Sequence, residues 1–216
     1  MQADDVVDPE PRWAAITVLV LLFSLFLLLP GHYRILPQWV AWVAVIAALG
    51  SMLAVTVRPD SVGFHRIETG VVFVIVAVAC AVNVVTLGRL IDDMVSRTHY
   101  DAVMLLQSAV AIWALNVAIF ALLYWQADRG QRELRPGAWS SGRDFAFAET
   151  EGDGGENWQP TFVDYLFLAF VTSTSFTPPD SSRPSSRRSK LALMLQATIS
   201  LVTLVVIASR AIATLS

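Results

Sequence analysis

Charged residues are scarce in this chain. They make up 15% of its 216 residues, whereas 55% of the residues are hydrophobic. In an ordinary soluble domain about a quarter of the residues are charged. This balance excludes a typical water-soluble domain and predicts an integral membrane protein, multi-pass and located in the cell membrane.

An excess of basic residues is also lacking. The chain has 15 Lys and Arg residues against 18 Asp and Glu residues, and the cations are scattered between apolar runs instead of forming one stripe. Proteins that bind nucleic acid carry a basic patch or stripe. We therefore expect no nucleic-acid partner, and we expect membrane lipid to be the main contact of the chain.

Cysteine is almost absent. The single cysteine, Cys80, excludes an intramolecular disulfide, and its apolar surroundings favour a core residue over a reactive thiol. The three histidines fall in different predicted loops, and the chain has no recognisable nucleophile motif or phosphate-binding glycine loop. The sequence therefore predicts no metal, no cofactor and no enzymatic activity.

What the chain does contain is a series of apolar runs. Residues 1–12 are rich in acid and proline and are predicted to be a mobile tail. Residues 13–125 are predicted to be a region of four transmembrane helices, and Tyr124 and Trp125 at its end are predicted to lie at the membrane interface. Residues 126–160 lose the apolar character and are predicted to be a polar loop. The four apolar runs cover residues 13–29, 39–57, 69–90 and 103–125.

Residues 161–216 have a different pattern. Thr161 and Asp164 have the spacing of a helix N-cap with a capping box. The apolar stretch 162–176 reaches only about 23 Å as a helix, less than the ~30 Å hydrocarbon core. We therefore predict a short re-entrant helix, a basic hairpin and a last transmembrane helix. The predicted fold class is all-α: a polytopic membrane bundle of five transmembrane helices plus this short segment.

Two polar patterns in residues 161–216 are candidate functional sites. One is a hydroxyl-rich, pore-like turn after the short helix, and the other is a polar stripe on one face of the last helix. The turn comprises Thr172, Ser173, Thr174, Ser175, Phe176, Thr177 and Asp180, and the stripe comprises Gln196, Ser200, Thr203 and Arg210. The stripe either packs against amides of other helices or lines a pore or cavity.

The succession of short capped helix, hydroxyl-rich turn ending in Asp180 and closing helix resembles the pore module of the potassium-channel superfamily. The resemblance covers residues 103–213, and the whole chain is similar to bacterial membrane families of unknown function with such a C-terminal hairpin. It implies a channel-like or transport-related protein. It also implies a homo-oligomer, because one hairpin cannot enclose a pore.

The turn departs from the potassium-channel pattern Thr-Thr-Val-Gly-Tyr-Gly-Asp. Thr177 and Pro179 stand where that pattern has glycines, so no potassium-selective filter is expected. The alternative function is a non-transporting structural or partner-binding membrane protein with a degenerate pore fold. Membrane orientation also stays open: the charge bias puts the hairpin in the cytoplasm, whereas a potassium-channel pore loop enters from outside.

Overall fold

The structure is a computed structural model that describes residues 62–96, 102–134, 144–148 and 158–215, with seven separate positions between residues 24 and 50. Inside the helices, side chains are described for residues 70–95, 103–128, 162–209 and 211–212. The predicted tail at 1–12 lies outside the described residues. The first two predicted transmembrane helices also lie outside them, apart from those separate positions.

Four helices make up most of the described chain. They are α1 (Val62–Val95), α2 (Ala102–Leu134), α3 (Phe162–Ser175) and α4 (Arg187–Leu215). Three of them, α1, α2 and α4, contain stretches long and apolar enough to cross a membrane, whereas α3 is shorter. The described fold is therefore that of a helical membrane protein, as the composition predicts.

Helix α2 continues past the apolar run from which it was predicted. The run ends at Trp125, but the helix extends through residues 126–134. Polarity alone does not end a helix, and the first proline after Trp125 is Pro136, just beyond the observed helix end. Tyr124 and Trp125 are only 1% and 3% exposed. Protein therefore covers both rings, and their position at the membrane interface stays a prediction.

Two short strands lie beside the end of α2. Strand β1 (Phe145–Phe147) pairs antiparallel with β2 (Ser182–Pro184). Phe145 and Phe147 are buried while Ala146 between them is half-buried, the alternation that a strand imposes. Part of the segment predicted as a polar loop is thus a strand that belongs to the hydrophobic core.

Helix α2 is the centre of the described bundle. It packs against α1, α3 and α4 and is the most buried of the three long helices. Helix α3 runs antiparallel to it, because Trp125 contacts Phe162 at the start of α3 and Trp113 contacts Phe170 two turns later. The ring centroids of these pairs lie 6.2 Å and 5.9 Å apart.

Helix α4 also runs antiparallel to α2. Tyr124 of α2 bonds to Gln196 near the start of α4, and Asn116 bonds to Ser200 one turn further along α4. Helices α3 and α4 therefore run parallel to each other and begin at the same end of the bundle. Residues 176–186 connect the far end of α3 back to the near end of α4.

Candidate functional site

Helix α3 begins with the predicted capping box. Thr161 is the N-cap, and its backbone N–H donates to the Asp164 carboxylate at 2.7 Å. The Thr161 hydroxyl donates to the same oxygen at 2.9 Å. The carboxylate satisfies a backbone N–H that the helix leaves unpaired and lies at the positive end of the helix dipole. The position of Asp164 is thus explained by helix initiation.

The pore-like turn is divided between the core and the surface. Thr172 and Ser173 are buried in α3, whereas Thr174, Ser175, Phe176, Thr177 and Asp180 are exposed. The Thr174 hydroxyl donates to the carbonyl of Phe170 at 3.0 Å, and the Ser175 hydroxyl donates to that of Val171 at 2.7 Å. These two hydroxyls therefore bond to their own helix.

Helix α3 ends at Phe176 in the left-handed backbone conformation, with φ 61° and ψ 10°. The Phe176 N–H donates to the carbonyl of Thr172 at 3.1 Å and closes the last turn. This conformation is usual for glycine and costs a residue with a Cβ roughly 1–2 kcal/mol. The chain leaves the helix here toward Pro178 and Pro179.

Gln196 is the central residue of a buried network that joins α2, α3 and α4. Its side-chain oxygen accepts a hydrogen bond from the Tyr124 hydroxyl at 2.5 Å. Its side-chain nitrogen donates to the carbonyl of Ala169 at 2.8 Å and to the Ser173 hydroxyl at 2.9 Å. Gln196 is fully buried, so the network compensates the cost of removing this amide from water.

The polar stripe of α4 faces the protein interior where its side chains are described. Ser200 accepts a hydrogen bond from the Asn116 side-chain nitrogen at 2.8 Å, and the Thr203 hydroxyl donates to its own helix at the carbonyl of Ile199. Gln196, Ser200 and Thr203 are all 0% exposed. The side chain of Arg210 lies outside the described residues. The sequence correctly placed these three polar residues on one face.

Some buried polar atoms have no hydrogen-bond partner within the described part of the chain, and two of them belong to residues that are in or next to this network. These two are the Thr172 hydroxyl, next to Ser173 in α3, and the side-chain oxygen of Asn116 in α2. Both residues are 1% exposed. A buried polar atom without a partner reduces stability by about 1–3 kcal/mol, so the network is not fully satisfied at its edge.

A second buried polar cluster lies at the end of the bundle where α3 and α4 begin. Asp128, one turn beyond Tyr124 in α2, accepts hydrogen bonds from the Tyr165 hydroxyl and from the backbone N–H of Asp144. Asp128 and Tyr165 are 0% exposed. The backbone carbonyl of Asp144 accepts from the N–H of Ser185 at 2.9 Å. This cluster fixes the strand pair to the helices.

Aromatic rings cover this second cluster. The Phe145 ring lies 5.0 Å from that of Tyr124, and the Phe147 ring lies 5.4 Å from that of Tyr165, both edge to face. The Trp158 ring lies 5.7 Å from that of Phe147. Sequence reasoning missed the cluster. Its local signal is the Phe-Ala-Phe alternation after Asp144, which at three residues is too short to predict a strand by itself.

Neither cluster has the composition of a metal site. Within the described residues, no group of three or more His, Cys, Asp or Glu side chains lies close enough together to hold a metal ion. The donors of the Gln196 network are amides and hydroxyls, which bind one another. The arrangement can hold helices in register or bind a small polar group.

Comparison with known proteins adds no assignment. No protein-family model, no curated protein and no solved structure matches this chain. The class of protein therefore follows from the three long apolar helices, which define a helical membrane protein.

Proposed function

We propose that the chain is a non-transporting, multi-pass protein of the cell membrane with a structural or partner-binding role and no enzymatic activity. In this proposal the C-terminal hairpin, formed by α3, residues 176–186 and α4, is a degenerate pore fold that serves as a packing unit. The observation that carries the proposal is the side chain of Gln196, both ends of which bond to neighbouring helices.

The burial of the stripe argues against a pore along α4. A pore-lining side chain needs access to water or to an ion, whereas Gln196, Ser200 and Thr203 have no exposed surface. Ser200 also accepts the amide hydrogen of Asn116 from α2. Such interhelical hydrogen bonds contribute about 0.6 kcal/mol on average in membrane proteins, and several together fix how helices pack.

The proposal includes a re-entrant position for α3. The 14 residues of this helix reach about 21 Å, less than a ~30 Å hydrocarbon core. The parallel direction of α3 and α4 supports it, because a segment that begins at one membrane surface must return there before a parallel helix can start. Ser185 also supports such a return, because its backbone N–H donates to Asp144, which in turn bonds to Asp128 in the last part of α2.

A partner for the exposed turn follows from this position. Irregular backbone at membrane depth is tolerated only where protein or water covers it. Thr177 and Asp180 are exposed, and Phe176 is 40% exposed. We therefore propose that a partner, such as a second copy of the chain in a homo-oligomer, covers the turn.

A channel-like or transport-related protein is the second candidate, and the exposure of the same turn favours it. The hydroxyls of Thr174 and Thr177 could line a passage at the centre of an oligomer. The fully buried stripe of α4 would then lie behind that passage and not within it. The two candidates differ in whether ions cross the membrane.

The deciding experiment measures ion flux. Purified full-length protein is reconstituted in liposomes that carry potassium-, sodium- or chloride-sensitive dyes, over a range of membrane potentials. We expect the same flux as in empty liposomes. Flux that disappears in Thr174→Ala and Thr177→Ala, but persists in the matched control Thr198→Ala on the exposed side of α4, would establish the second candidate and refute the first.

A further inference from the structure

Four exposed cations lie where the C-terminal hairpin joins α4. We name Arg183, Arg187, Arg188 and Lys190 the basic cluster. All four are exposed, and none forms an ion pair within the described part of the chain. The acidic residue closest in sequence, Asp180, is also exposed and forms no ion pair with them. Within the described residues, the cluster therefore presents positive charge without an ion-pair partner at one end of the bundle.

The basic cluster stands on an ordered backbone. Arg183 belongs to β2, where it pairs with Ala146 of β1. Ser186 and Ser189 cap the start of α4 reciprocally: the Ser189 N–H donates to the Ser186 hydroxyl at 3.0 Å, and the Ser186 N–H donates to the Ser189 hydroxyl at 3.2 Å. These bonds fix Arg187 and Arg188 in the first turn of the helix.

The first turn of a helix is an unfavourable place for cations. The helix dipole gives that end a partial positive charge, which stabilises anions and repels Arg and Lys. The first turn of α4 contains no acidic residue. An external anion at this position would interact favourably with the side chains and with the helix terminus together.

An apolar surface continues directly from the basic cluster. Leu191, Met194 and Leu195 are 66%, 66% and 48% exposed, and the membrane-length apolar stretch of α4 begins at Arg187. Arg187, Leu191 and Met194 have the i, i+4, i+7 spacing of one helix face. A molecule with an anionic head and an apolar tail matches this surface: its head would contact the basic cluster and its tail the exposed apolar side chains.

We propose that the basic cluster binds the phosphate headgroups of anionic phospholipids, whose acyl chains lie along Leu191 and Met194. Clusters of Lys and Arg beside a membrane span attract anionic lipids of the cytoplasmic leaflet. The lipid contact therefore places the starts of α3 and α4 at the cytoplasmic surface. It requires only that α4 crosses the membrane, so it holds for a transporting or a non-transporting protein.

The test compares lipid binding by full-length protein in nanodiscs containing equal parts of phosphatidylglycerol and phosphatidylcholine. Native mass spectrometry after release from the nanodisc measures the lipids that stay bound. We expect a preference for phosphatidylglycerol that falls about fivefold for each cation neutralised. Higher salt should weaken it further. The variants are Arg187→Gln, Arg188→Gln and the quadruple change of the cluster to Gln.

Arg89→Gln is the matched control. Arg89 is an exposed cation near the end of α1. Only six residues separate that end of α1 from the start of α2, whereas α4 begins beside the other half of α2. Equal retention of both lipids by the wild-type protein would overturn the proposal. Loss of the preference in Arg89→Gln as large as in the quadruple variant would also overturn it.

Two further measurements keep the result interpretable. The thermal midpoint in pure phosphatidylcholine should be the same for the wild type and the variants, and the single substitutions carry the test if the quadruple variant does not fold. Inorganic phosphate is then added to the mixed nanodiscs before release. Displacement of phosphatidylglycerol by millimolar phosphate, with no dependence on the acyl chain, would identify a site for free anions and refute the lipid assignment.

Discussion

The Tyr124 hydroxyl in α2 donates a hydrogen bond to the Gln196 side-chain oxygen in α4, and the nitrogen of the same amide reaches α3. One side chain thus connects three helices. Its two polar ends cannot be exchanged, because the oxygen only accepts and the nitrogen only donates. The relationship fixes the rotation of α4 about its own axis.

Replacing Gln196 by Leu should destabilise the protein. The change leaves the hydroxyls of Tyr124 and Ser173 without their partner in a buried site, which costs about 1–3 kcal/mol of unfolding free energy. Reversible unfolding in nanodiscs or mixed micelles measures it. Thr198→Val is the control, because Thr198 is exposed and bonds only to its own helix. An equal effect of both changes would refute the role assigned to Gln196.

Neighbouring hydroxyl deletions in α3 should have opposite effects. Thr172→Val removes a buried hydroxyl that has no partner within the described chain, so stability should stay constant or rise by about 1 kcal/mol. Ser173→Ala removes a hydrogen bond from Gln196 and should cost about 1 kcal/mol. The same unfolding assay compares them. A clear loss in Thr172→Val would mean that a water molecule or ligand binds that hydroxyl.

The Phe176→Gly variant should be more stable than the Phe176→Ala variant. Both substitutions remove the ring, but only alanine keeps a Cβ in the left-handed conformation of Phe176, so the glycine variant should be more stable by about 1 kcal/mol. At Thr177, which does not have a positive φ, alanine should be the more stable variant. Thermal midpoints of the four variants suffice. The same order at both positions would contradict the backbone geometry.

Tyr165→Phe should destabilise the end of the bundle where α3 and α4 begin. The change keeps the ring that packs on Phe147 but removes the hydrogen bond to Asp128, at a cost of about 1–2 kcal/mol. A double-mutant cycle with Asp128→Asn isolates the pair, because the two changes share one interaction. Additive effects would show that the two side chains are not coupled.

Local features of this protein could be predicted from the sequence. The capping box of α3 depends on residues three positions apart, and the stripe of α4 depends on a period of 3.6 residues, so both are visible without knowledge of the fold. Thr161 and Asp164 form the predicted cap, and Gln196, Ser200 and Thr203 share the predicted face.

The contacts between distant segments could not be predicted in the same way. Tyr124 stands at the end of an apolar run, where an aromatic residue is typical of the membrane interface. Its contacts with Phe145 and Gln196 join segments that are far apart in the sequence. Strand β1 has three residues, too few for a period-2 pattern to stand out within a polar segment. Its burial depends on β2, which follows α3 in the chain.

Gln196 of α4 is synthesised well after the residues of α3 to which it bonds, and this order has a consequence for how the chain assembles. Gln196 lies 27 residues after Ala169 and 23 residues after Ser173, the two groups to which its nitrogen donates. In a growing chain, the face of α3 that contains Ala169 and Ser173 is therefore made before the Gln196 side chain that bonds to it. If α3 is re-entrant, as proposed, it reaches its final position only when α4 enters the membrane. The C-terminal hairpin would then assemble as one unit on α1 and α2.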